Sequence, residues 1–155
     1  LTSLQPVCDL STVSVLIQNK DYQGRTYESD LVTINERHNV GFEVFDNEII
    51  VFYFTNHDHF DYDSSKFENN EEYAASVIDF LNKIFTLPIL YVKVTKGKSV
   101  KREEYFFVMP NGEEESIAGP IGHLFNGNPF AKQITTKTTW QYDKAAGGFI
   151  NTTPK

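Results

Sequence analysis

An α+β fold, mainly antiparallel sheet with one amphipathic helix at about 71–85 packed on one face, follows from three observations in this 155-residue chain. Two strand-like runs, VGFEVFD (40–46) and EIIVFYFT (48–55), flank the Asp46-Asn47 dipeptide. Apolar residues at Tyr73, Val77, Leu81 and Ile84, joined by Ala74, Ile78 and Phe85, recur at helical spacing and make one apolar face. Beyond the helix, β-branched and aromatic segments alternate with Gly-containing turns. A lone helix interrupting a run of antiparallel strands covers one face of their sheet.

Taken in order, Val13, Val15 and Ile17 alternate with Ser14, Leu16 and Gln18, a strand-like period. Asn19–Gly24 (NKDYQG) reads as a turn and Tyr27–Ile34 as a second strand, so the pair makes a hairpin. In the next hairpin, Asp46 and Asn47 tolerate the positive φ of a two-residue turn. Its second strand is apolar on both faces, which predicts a central position. Asn56–Asn70 (NHDHFDYDSSKFENN) reads as a polar, aromatic-studded connection. Asn69 or Asn70 caps the helix, Glu71 and Glu72 complement its dipole, and Pro88 blocks continuation. Strands are then expected at Ile89–Thr95 and Val100–Met109, with turns at Lys96-Gly97-Lys98 and Pro110-Asn111-Gly112. The Gly- and Pro-rich stretch 117–130 reads as a structured loop and Gln133–Tyr142 as a strand. Residues 144–155 read as a turn, a short edge segment and a tail.

Without internal repeats, low-complexity segments or linkers, the organisation predicted is a single domain over 1–155. A chain of this size buries roughly 68–70% of its unfolded surface, enough to fold without metal or disulfide. The single cysteine, Cys8, excludes an internal disulfide and fits a reducing compartment or indifference to redox. As a reactive thiol Cys8 lacks a basic neighbour in sequence to stabilise the thiolate. No apolar run nears the ~18 residues of a membrane span, and no basic stretch leads into a signal-type apolar run. The net charge of −7 is uneven. Residues 43–79 hold ten acids against Lys66, a net of −9, whereas 93–155 carry nine bases and six acids. Such a middle repels nucleic acid and anionic membrane and attracts cationic partners.

Candidate chemistry concentrates in His57-Asp58-His59-Phe60-Asp61-Tyr62-Asp63. Histidines two apart on a strand share a face, so His57, His59 and Asp61 could centre a metal-dependent enzyme, with His38 or His123 joining in space. The pattern lacks the Gly and terminal Glu of a calcium loop and is not a helical H-E-x-x-H motif. The plain alternative is a solvated strand end with its aromatics turned inward. Glu43 with Glu48, or Asp61 with Asp63, could form an acid–base pair, but such a pair needs unequal burial. No nucleophile motif is present, and Gly119–His123 is too short and wrongly placed for a phosphate loop. Lys96, Lys98, Lys101 and Arg102 crowd one turn, as solvated hairpin ends commonly do; no nucleic-acid role is expected of them. No cofactor and no catalysis are therefore expected.

In size, acidity and layout (GFEVFDNEIIVFYFTNHDHFDYD, then one helix and further strands), the chain resembles the broad class of bacterial immunity proteins. That resemblance implies a small cytoplasmic inhibitor that neutralises a toxin of contact-dependent or polymorphic type, here a basic nuclease. The partner-binding candidates are Asp58, Asp61, Tyr62, Asp63, Glu68, Glu71 and Glu72, with Glu113, Glu114 and Glu115 as a second contact and Trp140 as an aromatic anchor. The alternatives are the His57/His59/Asp61 enzyme and an accessory binding domain of a surface or phage system.

Overall fold

The computed structural model describes residues 4, 7–22, 24–63, 65–117, 121–122 and 131–154. They form mainly antiparallel sheet with one helix, an α+β fold. The chain divides into two compact units, Leu1–Asn82 with Lys144–Gly148, and Lys83–Asp143 with Phe149–Lys155.

The first unit is a five-stranded meander in the order β1 (Ser14–Tyr22), β2 (Arg25–Asn35), β3 (Val40–Val44), β4 (Glu48–Tyr53), β5 (Asn56–Asp61). Helix α1 (Asn70–Thr86) begins here and covers one sheet face. Phe80 packs its ring against Tyr53 and Phe60, at centroid distances of 5.9 and 5.2 Å, and the Tyr73 hydroxyl donates to the Phe60 carbonyl. Tyr73, Val77 and Leu81, one per helical turn, are buried, as are Val32, Val51 and Tyr53. The helix therefore buries the face that its apolar spacing predicts.

In the second unit the sheet order is β11 (Gly148–Asn151), β10 (Gln133–Asp143), β6 (Ile89–Lys96), β7 (Ser99–Val108), β8 (Glu114–Ser116), and β9 (Ile121–Gly122) also pairs with β7. Ile84 and Phe85 from the last turn of α1 are buried, and Phe85, Tyr142 and Phe149 form a ring cluster with centroids 4.9 to 5.9 Å apart. The short edge segment expected after residue 144 is β11.

The turns depart from expectation. Asp46-Asn47 does close a two-residue hairpin, with the Phe45 N–H donating to the Glu48 carbonyl at 2.8 Å, but neither residue has positive φ. The first hairpin turn is shorter than 19–24, because β1 runs to Tyr22, which pairs with Arg25. Asn56–Asp61 is a strand, not a connection. A Phe54-Thr55 turn joins it to β4, with Phe54 itself at φ 52°. The His38 carbonyl accepts from the Phe54 N–H at 2.9 Å and the Asn39 amide donates to the Phe54 carbonyl at 3.0 Å, so tertiary bonds hold an otherwise disfavoured conformation. Most of the 117–130 loop, including Gly119 and His123, lies outside the described residues.

Candidate functional site: the acidic end of the first sheet

Pairing across the meander sorts its side chains onto two faces. Opposite the helix lie Gln18, Lys20, Tyr27, Ser29, Glu43, Glu48, Ile50, His57, His59 and Asp61, as shown by the pairs Gln18↔Ser29, Lys20↔Tyr27, Glu43↔Ile50, Glu48↔Asp61 and Ile50↔His59. Glu43 is the buried charge of this face. Its carboxylate accepts from Ser29 Oγ at 2.6 Å, Gln18 Nε2 at 2.9 Å and Lys20 Nζ at 2.6 Å. Burial acts to raise this carboxyl, but the bonds from Lys20, Ser29 and Gln18 and the lysine charge hold it below its ordinary range. Glu43 thus stays ionised and is unsuited to proton transfer near neutrality. Glu43 is more buried than Glu48, yet its bonds shift it down, the direction opposite to that of a general acid.

Beside this network a groove of about 730 Å³ opens between the tip of the β1–β2 hairpin and the β3–β4 turn. Tyr27, Phe45 and Ile50 supply apolar walls, and Asp46 and Glu48 supply carboxylates, with Glu28 lining the groove from β2. Glu48 is met by His59 Nδ1. A second hollow of about 350 Å³ lies on the other side of the same turn, against Tyr62, Asn70 and Tyr73. The Tyr62 N–H donates to the Asn47 carbonyl at 2.9 Å and its ring packs on Tyr73. Carboxylates from β2, the β3–β4 turn, β4 and the end of β5 therefore gather at one end of the sheet. An anionic rim with aromatic walls suits a lysine or arginine side chain, whose stem packs on the rings while its head meets the acids.

The sequence-predicted residues separate on this geometry. Asp61, exposed and opposite Glu48, and Tyr62 belong to the acidic end. Asp63 is half-exposed and held below its ordinary range by the Ser65 side-chain and backbone bonds. Asp58 faces the helix side, half-buried, accepting from the Tyr53 hydroxyl at 3.2 Å, and its burial raises its pKa. It serves the interior of the unit. Glu71 and Glu72 are exposed in the first turn of α1. Asn69 Oδ1 accepts from the Glu72 N–H at 2.9 Å, and the Glu72 carboxylate accepts from the Glu68 N–H at 2.7 Å, a capping arrangement that employs Glu72 locally.

Glu113, Glu114, Glu115 and Trp140 belong to the second unit. Glu113 accepts from the Asn111 amide, Glu114 lies 3.7 Å from Lys137 Nζ, and Glu115 lies 3.2 Å from Lys83 Nζ. Glu114 and Glu115 start a short strand and do not form a bare knob. Trp140 is half-buried on β10 opposite Ile89.

His57 and His59 do share a face, with ring centroids 4.9 Å apart. Among the described residues no group of three His, Cys, Asp or Glu side chains is placed to hold a metal ion. Cys8 is buried, and desolvation raises its thiol pKa, the reverse of a poised nucleophile. No described helix is long and apolar enough to cross a membrane.

Tyr27, Phe45 and Asp46 are the groove residues that sequence reasoning missed, and Glu48 was read there only as an acid–base partner of Glu43. Cross-strand register was the signal that could have found them. No family model, curated protein or solved structure matches the chain.

Proposed function

We propose that this chain is a binding protein of immunity type, which captures a cationic protein toxin with the acidic end of its first sheet. What carries the reading is the groove beside the β3–β4 turn, where Asp46 and Glu48 line the same hollow as Tyr27 and Phe45. Fixed carboxylates speed encounter with a basic surface, and the aromatic walls supply the buried contact that holds it. Within the groove, Lys20 is already neutralised by Glu43, so it does little to offset the field of the rim. Asp61, Asp63 and Glu71 extend the anionic surface around the turn, and Tyr62 is an anchor on its far side.

The test is binding and cell protection against the product of the neighbouring gene. Asp46→Lys combined with Glu48→Lys should weaken binding by about a hundredfold or more, with the far-UV circular dichroism unchanged, and should abolish protection. Failure of the wild-type chain both to bind that product and to protect cells would end the proposal.

A further inference from the structure

Strand β1 is an outer strand of its sheet, paired with β2 alone among the described residues, and its apolar side chains are bare. Val15, Leu16 and Ile17 are 62%, 57% and 68% exposed. Sheet edges of soluble proteins are ordinarily blunted by brevity, proline, a bulge or an outward lysine. This edge has none of these. It is nine residues long, contains no proline, and keeps unbroken register with β2 from Ser14 to Tyr22. Lys20, the basic residue on it, is turned to Glu43 at 2.6 Å and does not guard the edge.

We infer that β1 is a self-association edge, where a second copy of this chain adds its own β1 antiparallel to make a ten-stranded sheet. Two features of the edge select a second copy as the occupant. The first is self-complementarity. The exposed triplet is centred on Leu16, so a two-fold axis there sets Leu16 against Leu16 and Val15 against Ile17 of the other copy. Leu16 then meets its copy on the face away from the helix, and each Val15 meets an Ile17 on the helix face, so every apolar side chain of the triplet gains an apolar partner directly across the pair. The second is charge. Asp21, Glu28, Asp46, Glu48 and Asp61 lie toward the Tyr22 end of the sheet, with Asp30 level with Ile17. Antiparallel pairing about Leu16 sends the two acidic ends to opposite extremes of the joined sheet, whereas parallel pairing would bring them side by side. Each edge is used once, so the assembly closes as a dimer. Neither acidic groove is consumed by it.

Sedimentation of the full chain across a concentration series should show mass rising from 17.8 kDa toward twice that value. Leu16→Lys removes an apolar contact and sets two like charges across the axis. It should weaken association by about a hundredfold or more while leaving the far-UV circular dichroism unchanged, because the side chain is exposed. Leu16→Cys checks the register. Residues at the axis lie roughly 5 Å apart between Cα atoms, within disulfide reach, so this variant should cross-link under mild oxidation. Asp21→Cys places its thiols roughly 33 Å apart and should not. A wild-type chain that stays monomeric, a dimer indifferent to Leu16→Lys, an open series of larger species, or cross-linking through position 21 in preference to 16 would each overturn the inference.

Discussion

At Glu43 a carboxylate is held on a strand surface by three neighbours and kept from water, so its charge belongs to the fold. The sign of its contribution follows from its lowered pKa. The stabilisation is present above the ordinary carboxylate range and is lost as pH falls through the lowered folded-state value. Glu43→Gln should therefore cost about 1–3 kcal/mol in urea unfolding at neutral pH, and the gap from wild type should close in acid. Asp58 behaves oppositely. Burial raises its pKa, so ionised Asp58 opposes folding at neutral pH and the penalty disappears as pH falls through the raised value. Asp58→Asn keeps an acceptor for the Tyr53 hydroxyl and should raise the urea midpoint at pH 7, with an advantage that shrinks in acid.

The β4–β5 hairpin shows why one element was illegible before the structure. A two-residue turn advertises itself through Gly, Asn or Asp, and Phe54-Thr55 offers none of these. The information lies elsewhere in the chain, in the His38 carbonyl and the Asn39 amide that clamp Phe54 from both sides. Without that signal, a strand alternating Asn56, Asp58 and Phe60 against His57, His59 and Asp61 reads as a polar connection. Asn39 is itself left-handed at φ 51°. Asn39→Ala loses both the amide bond and the residue type that tolerates this conformation, and should cost about 1–2 kcal/mol; Asn39→Gly should cost less. On β3, a Cβ at Gly41 would stand 2.2 Å from the Val32 carbonyl oxygen and 2.6 Å from the Phe52 ring. Gly41→Ala should lower stability by about 2 kcal/mol or more, read as a lower urea midpoint. The helix, by contrast, was readable almost to the residue, because period, cap and terminating proline all act locally.

Across the whole molecule, the sequence's charge asymmetry became a site only in part. A linear window counts acids, but a meander collects them by register. Inside the acidic window, Asp58 turns to the helix, and Glu72 is taken up by capping. The Glu113–Glu115 run is tempered by Asn111, Lys137 and Lys83. If the remaining field steers a cationic partner, the association rate should fall steeply with added salt while the dissociation rate changes little. Stopped-flow or surface-binding kinetics across ionic strength measures both.

The sulfur of Cys8 is 1% exposed as a residue, lies 3.4 Å from the Leu4 carbonyl, and has a raised pKa. An alkylating dye can reach it only during excursions that expose the segment ahead of β1. The chain thus carries a native clock for those excursions: labelling speed in mild urea would time the breathing of the first unit, with no engineered probe and no second thiol to blur the reading.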